Sequence, residues 1–193
     1  MRILAIEGAL ARCSAAILAD GAVLAAVAED ASRGHPSLLP SMAQRVLDEA
    51  GMAATTLDAI AVGVGPGGFT GLRAAIALAQ GFGLGIGCPI IGVTSGEAMV
   101  AALPSEMRRD RPVWSVLDNR RGAVFAEFFA PGAAIPSAAA QVFTLDALPW
   151  NDSPILVGDA TDTVLADAVR RGVDAVAGGP MLPDAIGVAQ VAA

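Results

Sequence analysis

Residues 63–73 read Gly-Val-Gly-Pro-Gly-Gly-Phe-Thr-Gly-Leu-Arg and join a predicted strand to a predicted helix. Before this stretch, residues 58–64 form an apolar, partly β-branched run of strand length. After it, apolar residues recur at helical spacing, at Leu72, Ile76, Ala79 and Phe82. A strand, a glycine turn and a helix in this order predict an α/β protein.

The glycine turn supports two interpretations. Gly65, Gly67 and Gly68 can adopt positive φ without a Cβ clash, and Thr70 is predicted to cap the helix. These four residues form a candidate anion or cofactor site, because a glycine turn at a helix start presents backbone N–H groups. The alternative is a tight turn that lets the helix pack closely. Arg73 is expected to reach a nearby carboxylate or carbonyl.

The common nucleotide-binding motifs do not fit this turn. A P-loop requires a Lys, and the 12 basic residues of the chain are all Arg. The spacing of Gly65, Gly67 and Gly71 is one residue too long for the dinucleotide fingerprint Gly-x-Gly-x-x-Gly.

Composition narrows the class of protein further. The net charge of −7 argues against direct binding of nucleic acid, which needs a basic surface. Cys13 and Cys88 are too few for a disulfide framework and are expected to be buried thiols. The single His35 cannot form a multi-histidine metal site, so no metal is expected. A surface or capping role is expected for His35, and a Ser-His-Asp triad would also depend on it.

The chain is expected to be cytoplasmic and not to cross a membrane. Residues 74–96 carry no charge and are long enough to span a bilayer. However, Gly81, Gly83, Gly85 and Gly87 alternate before Pro89, which favours a helix, a turn and a strand. Glu7 and Arg12 interrupt the apolar start before a signal-peptide core could form.

The pattern of elements predicts two lobes. Residues 1–105 show the order β-β-β-α-β-α-β-α, with the second helix over 71–84. Residues 106–193 restart the pattern, because a strand over 113–118, a turn and a strand over 123–129 echo residues 3–21. This second lobe is shorter than a full repeat.

Several motifs in order resemble the TsaB family, also called YeaZ. The longest is Gly65-Pro-Gly-Gly-Phe-Thr-Gly-Leu-Arg73, where the family usually has Ser in place of Gly68. Shorter matches are Leu4-Ala-Ile-Glu7, His35-Pro-Ser-Leu-Leu-Pro40, Pro89-Ile-Ile-Gly-Val93 and Asp118-Asn-Arg-Arg-Gly-Ala-Val-Phe125. The resemblance implies a two-lobed actin and sugar-kinase-like (ribonuclease H-like) fold with mixed sheets.

The resemblance also implies a function. TsaB-like proteins dock on the catalytic subunit TsaD and, with the ATPase TsaE, support synthesis of threonylcarbamoyladenosine next to the tRNA anticodon. We therefore expect a non-catalytic subunit that binds TsaD, forms a homodimer when alone and meets tRNA only through the complex. ATP, ADP and metal would belong to the partner subunits. The alternative is a small enzyme of the same fold, a kinase or a glycoprotease-like hydrolase.

In catalytic members of this fold, carboxylates at the ends of the two first strands hold a metal, and hydroxyl-bearing turns hold phosphates. Glu7 and Asp118 occupy those two places. Glu7 replaces the usual Asp, and Gly8 and Ala9 provide no hydroxyl where Thr is expected. Nucleotide binding in the isolated chain is therefore not expected.

The predicted partner interface lies on the first two helices. The second helix has more small residues than one core-facing stripe needs, and small side chains let a partner helix approach. The predicted interface residues are Leu39, Met42, Arg45, Val46, Leu72, Ala75, Leu78, Ala79 and Phe82. The alternative is that both helices only cover their own sheet.

Overall fold

The computed structural model describes residues 1–30, 35–150 and 152–193, with backbone only at residues 35 and 36. It divides into two compact units. The first comprises residues 1–98 and 183–193, and the second comprises residues 99–182.

The elements of the chain begin with three strands, β1 (Arg2–Glu7), β2 (Arg12–Ala19) and β3 (Ala22–Asp30), followed by helix α1 (His35–Glu49). A 3-10 turn (Ala54–Thr56), β4 (Ala59–Gly65), α2 (Phe69–Ile86), β5 (Ile90–Thr94) and α3 (Ser95–Ala101) come next. The predicted order β-β-β-α-β-α-β-α is confirmed. The strands associate in the order β3-β2-β1-β4-β5, with β1 parallel to β4 and β4 parallel to β5.

The second unit contains β6 (Val113–Asp118), β7 (Val124–Phe129), β8 (Gln141–Phe143), a 3-10 turn (Leu145–Ala147), β9 (Ile155–Val157), α4 (Thr161–Arg170) and β10 (Val176–Ala177). Its sheet has the order β10-β9-β6-β7-β8. This is the same order as in the first sheet, read from the other edge. The predicted internal duplication is therefore present in the strand topology, and the fold class is confirmed.

A last helix, α5 (Ala185–Ala192), belongs to the first unit. The predicted boundary at residue 105 assigned residues 183–193 to the second lobe, whereas the structure packs them on the first sheet. The reason is burial: Val188 and Ala189 are fully buried in the same apolar cluster as Ile3 and Ala5.

The central strands of the first sheet, β2, β1 and β4, are buried on both faces. Leu4 and Ile6 of β1 face the cluster that includes residues of α1 and α2, and Ile3 and Ala5 face the cluster that includes α5. Strand residues alternate between faces, so a strand covered on both sides must be apolar throughout. This explains the continuous apolar run at the start of the chain.

Helix α2 extends two residues further at each end than the predicted 71–84. It ends at Gly87, which has φ 78° and donates its N–H to the Gly83 carbonyl. Glycine adopts this left-handed conformation at low cost, which suits Gly87 to the end of the helix. α2 is long and apolar enough to cross a membrane by length and composition, and 22% of it is buried within the unit.

The two cysteines are not bonded to each other. Cys13 is buried, and burial raises the pKa of its thiol to about 11, with smaller effects of Glu29 and Glu7. Cys88 is half-buried.

Candidate functional site: the glycine turn, the buried carboxylates and the exposed side of helix α2

The glycine turn packs against the turn that joins β1 to β2. The Gly68 N–H donates to the Ala9 carbonyl, and a Cβ at Gly67 would collide with that same carbonyl. The buried Ser95 hydroxyl donates to the Pro66 carbonyl at 2.9 Å. The close approach of Gly67 and Gly68 to Ala9 matches the tight-turn interpretation of the sequence. The N–H of Gly68 is already paired within the chain.

Thr70 does not cap helix α2, so that prediction was wrong. The N-cap residue is Gly68, which has no side chain, and its carbonyl accepts the first helical hydrogen bond from the Leu72 N–H at 3.1 Å. Thr70 lies exposed within the first turn. Gly68 has φ and ψ in the β region, as an N-cap residue does, so the helix begins at Phe69. Thr70 is then the second residue of the helix and not its cap.

Arg73 was expected to reach a carboxylate or carbonyl. Its guanidinium instead lies 3.8 Å from the centre of the Phe69 ring, four residues earlier on α2. Phe69 is 67% exposed, so this stacked pair lies on the surface at the start of the helix.

Glu7 ends β1 with a fully buried side chain. One carboxyl oxygen accepts the Ala9 N–H, and the other has no hydrogen-bond partner among the described residues. Gly63 makes room for this carboxyl group, because a Cβ there would overlap it. Burial raises the pKa of Glu7 to about 7, the N–H groups of Ala9 and Gly8 oppose the rise, and Asp184 adds to it.

The surroundings of Glu7 do not fit a metal-nucleotide site. A metal ligand must be ionised and accessible, whereas Glu7 is enclosed and its charged form is disfavoured. Gly8 and Ala9 add no side-chain oxygen. The structure therefore gives no support for metal binding at the end of β1.

Asp118 ends β6 and is held by an arginine and a second carboxylate. It accepts the Arg120 N–H at 2.7 Å, and the Arg120 guanidinium lies 3.3 Å from Asp118 and 3.2 Å from Asp159. The Asp118 N–H donates to Asp159 at 2.9 Å. Burial raises the pKa of Asp159, whereas the hydrogen bond from the Asp118 N–H and the charge of Arg120 lower it. Sequence reasoning did not identify Asp159, because it lies 41 residues after Asp118.

Within the described residues, no group of three or more His, Cys, Asp or Glu side chains could hold a metal ion. The side chain of His35 lies outside the described residues.

Helix α2 buries only a narrow stripe of small residues. Gly71, Ala75, Ala79 and Gly83 are buried, and Gly83 lies where a Cβ would collide with Ile90 of β5. Beside this stripe, a second row of residues recurs at helical spacing and forms what we term the α2 outer strip: Phe69, Arg73, Ile76, Gln80 and Leu84. Leu84 is 89% exposed and Ile76 is half-buried. The outer strip therefore presents two large apolar side chains to solvent, Phe69 and Leu84, with the polar Arg73 and Gln80 between them.

The structure separates the predicted interface residues into two sets. Five of them lie in the core of the first unit: Leu39, Met42, Val46, Ala75 and Ala79. Four others are at least partly accessible: Arg45, Leu72, Leu78 and Phe82. The five buried residues cannot form a docking surface, because α1 and α2 use them to cover their own sheet. Arg45 is occupied by an ion pair with Glu49 at 2.7 Å.

Sequence comparison places these features in a known family. Residues 26–145 match the model of the family described as "TsaD: tRNA N6-adenosine threonylcarbamoyltransferase", which is more than half of the chain. The chain is also 39% identical over 125 residues to the tRNA threonylcarbamoyladenosine biosynthesis protein TsaB of Escherichia coli. The chain belongs to this family, in its TsaB (YeaZ) branch.

The TsaB proteins of E. coli and Haemophilus influenzae are 39% and 31% identical to the chain. The matched stretch covers 65% of this chain in both comparisons, and it covers 53% and 52% of those proteins. The chain thus spans about half the length of the curated relatives it matches.

Structural comparison agrees with the sequence. YeaZ from Pseudomonas aeruginosa superimposes with a TM-score of 0.84 and 25% identity, covering 100% of this chain and 91% of that one. An activator of 2-hydroxyisocaproyl-CoA dehydratase from Clostridium difficile, solved with bound ADPNP, has a TM-score of 0.55 at 11% identity and covers 98% of this chain and 93% of that one. The second likeness shows the shared fold alone.

Proposed function

We propose that this TsaB-family chain is a non-catalytic subunit that docks on a TsaD-like catalytic subunit. In this proposal a TsaE-like ATPase completes the complex, tRNA binds only through it, and ATP, ADP and metal are held by the partner subunits. The chain acts in the cytoplasm and forms a homodimer when it is alone. The observation that carries the proposal is the α2 outer strip, where Phe69 and Leu84 are exposed on an apolar helix.

The composition of the outer strip supports docking on a protein. Phe69 and Leu84 are exposed near the two ends of α2, about 22 Å apart along the helix, so they provide two apolar contact points for one partner surface. Phe69 stacks under Arg73, and both residue types are enriched at interface centres. The half-buried Leu72 and Ile76 extend the apolar surface toward the sheet.

The carboxylates support a non-catalytic role. Glu7 is enclosed and favours its neutral form, and Asp118 is paired with Arg120. Neither carboxyl group is therefore free to bind a metal ion in this arrangement. The net charge of −7 supports an indirect contact with tRNA.

Leu84→Glu tests the docking surface. The substitution places a charge where an apolar contact is proposed, so it should prevent both self-association and binding to TsaD from the same cell, as measured by sedimentation velocity. Val169→Glu is the matched control, because Val169 is 68% exposed on α4 of the second unit. Equal binding by both variants would contradict docking through the outer strip.

The choice of Leu84 depends on the structure. Ala75 and Met42 belong to the interface predicted from the sequence, but Ala75→Glu and Met42→Glu would bury a charge in the core, since these residues are 0% and 4% exposed. These variants are expected to unfold, so they cannot report on docking.

The enzyme alternative is tested with the isolated chain. We expect no metal-dependent hydrolysis of ATP, whereas turnover that is lost in Glu7→Gln or Asp118→Asn would favour an enzyme. Peptidase activity that is lost in the same variants would also favour an enzyme.

A further inference from the structure

The α2 outer strip carries one charge, and the chain provides no counter-ion for it. Arg73 is the only charged residue between Asp58 and Glu97. Its side chain is exposed and forms no ion pair with a carboxylate of the described residues. Residues 31–34 and 151, which the structure does not describe, contain no acidic residue. Any carboxylate that pairs with Arg73 must therefore come from another molecule.

The position of this charge is fixed by a stack. The Arg73 guanidinium lies 3.8 Å from the centre of the Phe69 ring. The ring holds the guanidinium without a conventional hydrogen bond, so the N–H donors of Arg73 stay available. The first turn of α2 has no acidic side chain, so the partial positive charge of the helix start adds to the charge of Arg73. The exposed start of α2 therefore attracts an anion.

The apolar residues of the strip indicate that this anion belongs to a protein surface. Phe69 and Leu84 are the two exposed apolar contact points, and Arg73 lies four residues after Phe69. A partner that covers Phe69 also removes water from the stacked guanidinium, and a desolvated cation without an anion is costly. The partner therefore needs a carboxylate beside the pocket that receives Phe69. A nucleic acid fits less well, because the chain has a net charge of −7.

A second copy of this chain does not offer a free carboxylate on α1 or α2. Helix α2 has no acidic residue. The two acidic residues of α1 already have partners on the same helix: Asp48 accepts a hydrogen bond from the Gln44 amide at 2.8 Å, and Glu49 pairs with Arg45 at 2.7 Å. Self-association through the outer strip therefore leaves Arg73 without a counter-ion.

We propose that Arg73 selects the partner of the outer strip by binding a carboxylate of the TsaD-like subunit. This inference rests on the proposed docking through the outer strip and adds the chemistry of the partner, an acidic side chain next to an apolar pocket for Phe69. The ion pair makes binding of the TsaD-like subunit stronger than self-association and more sensitive to salt.

Arg73→Gln tests the proposal, because it removes the charge from an exposed position and leaves the core intact. Binding to TsaD from the same cell, measured by isothermal titration calorimetry, should weaken about tenfold or more, as expected for a lost hydrogen bond to a charged group. The difference from the unchanged chain should shrink when NaCl is raised from about 0.05 M to about 0.5 M, because salt screens the ion pair. Self-association, measured by sedimentation velocity, should not weaken.

Two further variants serve as controls. Arg121 is exposed on the turn between β6 and β7, outside the outer strip, so Arg121→Gln should bind TsaD as the unchanged chain does. Arg73→Lys keeps the charge but not the planar guanidinium, so it should retain most of the salt dependence.

Leu84→Glu separates this inference from the proposed function. If Leu84→Glu loses TsaD binding and Arg73→Gln does not, the strip docks without the ion pair and the inference is wrong. If neither variant loses binding, the docking surface lies elsewhere and the proposed function through the outer strip fails as well. An equal loss of self-association in Arg73→Gln, or a loss of tRNA binding by the chain alone, would also overturn the selection of a protein carboxylate by Arg73.

Discussion

Glu7 illustrates how one residue changes its chemistry when its surroundings change. Its place at the end of the first strand is that of a metal ligand in catalytic members of the fold. The folded chain instead encloses Glu7 between Ala9 and Gly63. Desolvation disfavours the carboxylate, and the buried oxygen without a partner is consistent with a protonated group. The residue therefore contributes to stability in a way that depends on pH.

The stability of the chain should fall as pH rises from about 4.5 to above 7. Burial raises the pKa of Glu7 from 4.5 to about 7, so the folded state keeps a proton that the unfolded state releases in this interval. The shift corresponds to a loss of roughly 3 kcal/mol at most. Urea unfolding at pH 5.5 and pH 8 measures the part of this loss that falls between those two values, about 2 kcal/mol.

Glu7→Gln should remove most of this pH dependence, because the amide does not titrate. Glu49→Gln, at an exposed position on α1, is the control and should keep the wild-type slope. If Glu7→Gln retained the full slope, another group would be responsible for it.

The helix starts differ in how they are capped. α2 begins after Gly68 with no side-chain cap, whereas α3 begins with a capping box, in which Thr94 accepts the Glu97 N–H at 3.1 Å and donates its own N–H to Glu97 at 2.7 Å. The Thr-x-x-Glu spacing and the Thr94-Ser95-Gly96 turn made the α3 start predictable from the sequence. At α2 the order Gly-Gly-Phe-Thr favours Thr70 as the N-cap, but glycine also serves as an N-cap, and Gly68 occupies that position.

Thr94→Ala should lower the free energy of unfolding by about 1 kcal/mol, the usual cost of a lost N-cap. Thr70→Ala should change it by less than about 0.5 kcal/mol, because Thr70 is exposed and caps nothing. Chemical denaturation of the two variants side by side decides between the two helix starts. A larger loss from Thr70→Ala would restore Thr70 as the capping residue.

At the scale of the whole molecule, the chain returns to its first unit at the end. Asp184 caps α5 by accepting the Ile186 N–H at 2.7 Å, and the Ala185 N–H donates to Ser14 of β2 at 2.9 Å. A Cβ at Gly187 would collide with the Ala98 carbonyl, so the helix lies directly against α3. α5 thus completes a core that residues 1–98 leave open.

Truncation after Pro183 should expose Ile3, Ala5 and Ala61 and strongly destabilise the first unit. Limited proteolysis should then cleave within residues 1–98 faster than in the full chain. Gln190→Ala, at an exposed position of α5, is the control and should leave the protection unchanged. An equally resistant truncated chain would show that α5 is dispensable for the core.

The sequence determined the local elements and their repetition, because hydrophobic periodicity, glycine turns and caps act over a few residues. It therefore predicted the β-β-β-α order, a glycine turn at residues 65–68 with two possible roles, and the second occurrence of the strand pattern. Tertiary structure alone decided which apolar residues of α1 and α2 are core and which are exposed, the enclosure of Glu7, the pairing of Asp118 with Asp159 and the return of α5. These features depend on contacts between residues that are distant in the chain, and burial is a property of the packed whole rather than of any single segment.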